Sequence, residues 1–222
     1  MSVAGDRKTI VALRRPAGSE RSAFVDALLA AAARTGDRIE IELADDDDAR
    51  LRPDLRKRSQ PPGRSRFDAV VQWWHSPGGA CPVADAGTIV ATYEVDEVVH
   101  WADAVPVMGF THLAFVCKQT QLTPAEFRAR YLGHAALARP AHPKIVHYVQ
   151  NFVTAHEGES PCDAISFLRF ADYPSYRDHF FADDDHMRAV ARDMSQTSSR
   201  EEGWSIVAEP LGERGAADLS PC

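Results

Sequence analysis

The nine histidines of this 222-residue chain, set among aromatic and acidic neighbours, are its readiest acid–base groups. His134 lies in the stretch LTPAEFRARYLGHAALARP. There Thr123-Pro124-Ala125-Glu126 reads as a capping box with proline at the first helical position, which fixes the helical phase downstream. Phe127, Tyr131, His134 and Ala138 then share one face, and that face is the apolar one. His134 is therefore expected to point inward. An imidazole with an ordinary pKa of about 6.5 can give or take a proton near neutrality. A core histidine satisfied by a backbone carbonyl would produce the same pattern.

Two strand-like runs carry the other candidates. In HYVQNFV, His147, Val149, Asn151 and Val153 fall on one face, opposite Tyr148, Gln150 and Phe152. In DAISFLRF, Asp163, Ile165, Phe167 and Arg169 alternate with Ala164, Ser166, Leu168 and Phe170, and the small Ala164 and Ser166 suit packing under a helix. Asp163 and Arg169 are thereby expected at the cavity or its rim. There Asp163 or Asn151 would orient a histidine and Arg169 would hold an anionic or carbonyl oxygen. A strand-end turn and a surface ion pair are the plainer alternatives. Tyr131 or Tyr148 would bond a substrate oxygen, and Phe167 would be apolar wall. Trp73, Trp74 and His75 offer further aromatic wall and one more acid–base group, or ordinary core packing.

Other chemistries lack positive signals. His142, His147, His179, His186 and Asp183 to Asp185 show no metal-ligand spacing, and FADDDHMRA reads as a helix junction with an Asp N-cap. There is no P-loop, GxGxxG or GxSxG. No cofactor is expected. The four cysteines, Cys81, Cys117, Cys162 and Cys222, are scattered without a CxxC pair, as reduced structural thiols would be. A net charge of −7 gives no basic field for nucleic acid. No apolar run approaches the roughly eighteen residues of a membrane helix, and MSVAGDRKT lacks a signal-peptide core. A cytoplasmic protein with neither membrane nor nucleic-acid partner is expected.

The elements that must position these residues read as β-α-β-β-(weak)-β over the first half and β-α-β-β-α-β over the second. The run His75 to Gly87 is too rich in Gly, Pro and Ala for a good helix. Ser22 to Phe24 matches Ala125 to Phe127, Asp68-Ala69 matches Asp163-Ala164, and Ile89 to Ala91 matches Ile206 to Ala208, all in the same order. The expected fold is α+β: two tandem ferredoxin-like βαββαβ repeats forming an intrachain, pseudo-dimeric α+β barrel. Residues 1–106 would be a degenerate repeat with a flexible charged loop at 45–66, residues 107–211 the better-formed repeat, and residues 212–222 a flexible tail.

The second half resembles the EthD-like family of the dimeric α+β barrel superfamily. LTPAEFRARYLGHAALARP is similar to its helix with an aromatic-x-x-His segment, HYVQNFV to its second strand, and CDAISFLRFADYPSYRDHF to its third strand and following helix. The first half departs from the pattern, with Ala31 where His134 stands. Phe167 falls where family members often carry an acidic residue. The resemblance implies a cofactor-independent lyase, dehydratase, isomerase or cyclase acting on a small, largely apolar or aromatic metabolite. His134, His147 and Asp163 would carry the acid–base chemistry; Tyr131, Tyr148, Asn151, Phe167, Arg169, Trp73 and His75 would line the site. A metabolite-binding accessory protein and a cofactor-free oxygenase are the rivals, and further pairing into a homodimer is compatible with each.

Overall fold

A computed structural model describes residues 7–46, 49–57, 60, 65–103 and 109–214. The N-terminal MSVAGD, part of the charged loop, most of the join between the halves (104–108) and the tail from 215 lie outside the described residues. The chain runs β1 (Arg7–Arg14), α1 (Arg21–Ala33), β2 (Arg38–Ala44), β3 (Ala69–His75), β4 (Thr88–Ala102) and β5 (Phe110–Val116). It continues through α2 (Pro124–Ala141), β6 (Ile145–Gly158), β7 (Ala164–Phe170), α3 (Tyr173–His179), α4 (Asp184–Thr197) and β8 (Trp204–Arg214).

The eight strands of the described residues close one antiparallel barrel in the order β1-β3-β2-β8-β5-β7-β6-β4. This overturns the expectation of two tandem ferredoxin-like βαββαβ repeats set together as a pseudo-dimer. Strands of the two halves are hydrogen-bonded into a single sheet, β2 to β8 and β4 to β6. The first half supplies only β-α-β-β-β. Between β3 and β4 the Gly- and Pro-rich segment has no apolar period to bury. It closes instead on local turns such as Ala84 N–H to Cys81 O (3.3 Å) and Ala86 N–H to Val83 O (3.1 Å).

Alternation along each strand sends one set of side chains into the lumen and the other outward under helices. Outward residues of β1 to β3, among them Val11, Leu13, Ile41 and Val71, pack on Phe24 and Leu28 of α1. Outward residues of β5 to β7 pack under the second-half helices, with Phe110, Tyr148 and Phe170 against Tyr176 and Phe180. The lumen is filled at one end by Ile10, Tyr93, Phe67, Phe115, Ile165 and Trp204. Burying such side chains contributes roughly 1.5–3 kcal/mol each.

Helix ends follow their sequence signals. The Thr123 side chain accepts from Glu126 N–H at 3.2 Å while Glu126 accepts from Thr123 N–H at 2.8 Å. Asp183 caps α4, accepting from His186 N–H at 2.9 Å. Gly158 ends β6 at φ +92°, and a Cβ there would meet Val90 O at 2.3 Å, so the close approach of β4 requires glycine. The described part of the charged segment is docked rather than free. Leu51 is 3% exposed, and Arg52 N–H donates to the Tyr176 hydroxyl at 3.2 Å.

Candidate active site at the polar mouth of the barrel

The other end of the lumen is charged. Lys8 from β1, Glu40 and Glu42 from β2, Gln72 and Trp74 from β3, Glu97 from β4, His147 from β6 and Arg169 from β7 converge there, with Arg38 at the rim. Arg38, Glu40, Gln72, Trp74, Glu97 and Arg169 join His147, Val149 and Phe167 around a chamber of about 50 Å³. Trp74, Glu97 and Val99 also line a half-open cleft of about 470 Å³ that includes Lys8, Asp96 and Thr154. The cleft arises from strand length. Among the described residues β4 pairs with β1 only as far as Val95, but follows β6 on to Ala102.

The charges balance three against three: Lys8, Arg38 and Arg169 against Glu40, Glu42 and Glu97. Lys8 Nζ bonds Glu97 Oε1 and lies 4.5 Å from the Trp74 ring centroid. Arg169 Nη2 donates to Glu42 Oε1 at 2.5 Å and is 3.7 Å from Glu40 Oε2. Gln72 Nε2 donates to Glu40 at 3.1 Å, and Arg38 pairs with Glu40 from the rim. Pairing of this kind is what makes buried charge tolerable. Burial lowers the Lys8 pKa against the opposing pull of Glu97. Burial likewise raises the Glu42 pKa against Arg169. Glu42 Oε2 and the nearby Thr111 hydroxyl each lack a well-formed hydrogen bond.

His147 differs from this paired set. No hydrogen bond fixes its ring among the described residues, although it lines the chamber. Burial first, and then the charge of Arg169, lower its pKa, so the imidazole is neutral near pH 7. Glu40 and Glu97 act the other way and would stabilise an imidazolium once formed. Asn151, deeper in the lumen, donates Nδ2–H to Ile165 O at 3.0 Å, and its Oδ1 has no partner among the described residues.

The sequence-derived residues divide accordingly. His147, Phe167 and Arg169 meet in the chamber, and Asn151 lies below it. His134 is on the outer side of the wall, 7% exposed, its Nδ1 2.7 Å from Asp193 Oδ2 on α4. Burial lowers its pKa against the pull of Asp193. Tyr131 shares that outer layer, its hydroxyl 2.8 Å from Ser166 Oγ, and Tyr148 accepts from Gln150 Nε2 at 2.8 Å. Asp163 precedes β7 at the opposite end from Arg169 and accepts from Lys118 N–H at 2.8 Å. Trp73 and His75 stack outside the barrel with ring centroids 3.7 Å apart, Trp73 bonding Asp37 and His75 bonding Thr9. Their neighbour Trp74 is the aromatic that reaches the mouth.

Sequence reasoning missed Lys8, Glu40, Glu42, Gln72 and Glu97. The signal was present in RIEIEL. Its strict alternation marks a strand, and in a closed barrel the alternate glutamates face the lumen.

Among the described residues no three His, Cys, Asp or Glu side chains converge as a metal site. No helix there is long and apolar enough to cross a membrane. No protein-family model matches the sequence, and no curated protein does. Solved structures match over nearly the whole chain. An anthrone oxidase-like protein superposes with a TM-score of 0.66 at 11% identity, covering 98% of this chain and 96% of its own. A candidate monooxygenase from Fusobacterium nucleatum subsp. nucleatum gives 0.59 at 8% identity, covering 96% of each chain. One from Lactobacillus acidophilus gives 0.53 at 10% identity, covering 96% of this chain and 97% of its own. At such identities the likeness is one of fold, and the resemblance to the EthD-like family narrows to a shared α+β barrel.

Proposed function

We propose that the barrel mouth is the active site of a cofactor-independent enzyme that abstracts a proton from a small aromatic metabolite and passes the resulting anion to dioxygen. The observation that carries this reading is His147, a neutral imidazole left without a hydrogen bond in a chamber of fixed charges. The cleft of about 470 Å³ is within the usual range for a small-molecule site, while the 50 Å³ chamber suits dioxygen or a few waters.

In this scheme an acidic C–H of a substrate methylene loses its proton to His147, and the electron pair is delocalised onto a ring oxygen facing Arg169 and Lys8. Glu40 and Glu97 stabilise the imidazolium. The carbanion adds dioxygen, His147 returns the proton to form a hydroperoxide, and loss of water leaves a ketone. In sum, one methylene and one dioxygen become one ketone carbonyl and one water, the carbon being oxidised and both oxygen atoms reduced. The oxygen branch is preferred over elimination or isomerisation because the matched folds include an anthrone oxidase-like protein and two candidate monooxygenases. His134, tied to Asp193 outside the wall, has a structural part in this scheme.

Anthrone is the first probe. Oxygen uptake equal to anthraquinone formed, reduced a hundredfold or more in His147→Ala but retained in His134→Ala, is the expected result. Substrate conversion without oxygen uptake would return the reaction to the lyase or isomerase class. Binding without conversion across phenols, quinones and aromatic acids would make this an accessory protein.

A further inference from the structure

A second cavity lies outside the barrel, between the docked segment around Arg56 and Lys57 and the face of α4. It measures about 390 Å³ and, among the described residues, shares no lining with the chamber or the cleft. Its apolar walls are Leu55, Phe181, Met187, Val190, Ala191 and Met194. Two of these are methionines, whose flexible thioether chains adapt to varied apolar shapes.

Among the described residues the polar lining is Ser198 and the cationic Arg56, Lys57, Arg188 and Arg200 against one carboxylate, Asp54. That carboxylate is already engaged by Arg52 through two hydrogen bonds of 2.9 and 3.1 Å. Arg188 is held by Asp185 at 2.6 Å, and Arg200 reaches Ala191 O at 3.5 Å. Lys57 has no carboxylate partner among the described residues; the groups acting on it are Cys117 and Arg200. Burial lowers its pKa, and Lys57 in turn is the largest charge depressing that of the fully buried His112 behind it. In a chain of net charge −7, this apolar groove with an uncompensated ammonium is a local reversal of sign. An anion reaching Lys57 would recover the attraction that its burial forfeits.

We propose that this groove binds an amphipathic monocarboxylate, its apolar chain or ring against Met187, Val190 and Met194 and its carboxylate on the Lys57 ammonium. The class is set by both halves of the site. A purely apolar ligand leaves Lys57 unpaired, and an inorganic anion leaves the methionine wall uncovered.

Isothermal titration with octanoate and octanol tests this on the full chain, with thermal melts and near-UV spectra confirming that each variant is folded. Octanoate should bind the parent protein, and Lys57→Met should weaken it at least tenfold while leaving octanol unchanged. Lys57→Arg should restore octanoate binding, and Ala191→Trp, which fills the groove, should remove both ligands. His147→Ala should leave both affinities intact, which separates this site from the barrel mouth. Absence of octanoate binding at millimolar concentration, equal affinity in Lys57→Met, or survival of binding in Ala191→Trp would each overturn the proposal.

Discussion

Acidification from pH 7.5 to 5 should cost this protein a large part of its stability, through histidines that the fold keeps neutral. His112, on the outer face of β5 beneath Tyr176 and Phe180, is fully buried, and its pKa is pushed down from 6.5 to about 3. His142, at the end of α2 with Nδ1 2.6 Å from Phe180 O, is pushed down to about 4. Burial is the main cause in both; the charge of Lys57 adds to it at His112, while the hydrogen bond to Phe180 O opposes it at His142. Below pH 6.5 the unfolded chain takes up a proton at each position and the native chain does not, so unfolding becomes easier as pH falls. At pH 5 each histidine contributes about 2 kcal/mol of lost stability, and the pair about 4 kcal/mol. That is a substantial share of the roughly 5–15 kcal/mol typical of a folded domain. Urea unfolding at the two pH values measures the difference. In His112→Leu, which removes the first of the two titrating groups, the pH-dependent loss should fall by about 2 kcal/mol. A parent loss below about 1 kcal/mol, or an identical loss in His112→Leu, would refute the argument that these imidazoles stay neutral because they are buried.

Four further outcomes are expected. Arg169→Met leaves Glu42, which is 0% exposed, without its cation; urea unfolding should register a loss of about 3–5 kcal/mol, and Arg169→Met with Glu42→Met should recover much of it. Turnover should fall on the acid side with a midpoint below the ordinary imidazole value, because lowering the His147 pKa preserves the free base to lower pH; a midpoint above 6.5 in a pH–rate profile would contradict this. Gly158→Ala must relieve the contact with Val90 O at positive φ, at a cost of about 1–3 kcal/mol in a thermal melt. Thr123→Ala removes the capping box of α2 and should cost about 1 kcal/mol.

Local signals in the sequence translated into structure where a single residue type decides the geometry. Thr123, Pro124 and Glu126 specify the start of α2, and Asp183 specifies the break before α4, because each satisfies backbone N–H groups that otherwise lack partners. Strand faces in β6 and β7 are legible from alternation, and His147, Phe167 and Arg169 share the chamber side of the wall. What alternation cannot supply is which face meets which layer. Trp73 and His75 differ from Trp74 by one position and lie on the other side of the wall. His134 does lie on the buried face of α2, but that face is shared with α4, so its partner is Asp193 and not a strand residue. The ion pairs linking β2 to β7 across the lumen depend on the order of strands around the barrel. No spacing within Arg38 to Ala44 encodes that order.

Closure of the barrel through β2–β8 and β4–β6 also governs how the chain can come apart. Separated at the join, each half would expose the two strands that now form the seams, β2 and β4 on one piece and β6 and β8 on the other. Strands with unpaired backbone groups recruit partners indiscriminately, so either piece alone is a template for aggregation. Mixed together, the two pieces offer one another complementary edges, and reconstitution from fragments should compete with precipitation. In the intact chain the same geometry leaves none of the described strands able to peel away without breaking pairings on both sides. Unfolding should therefore be a single cooperative event spanning both halves.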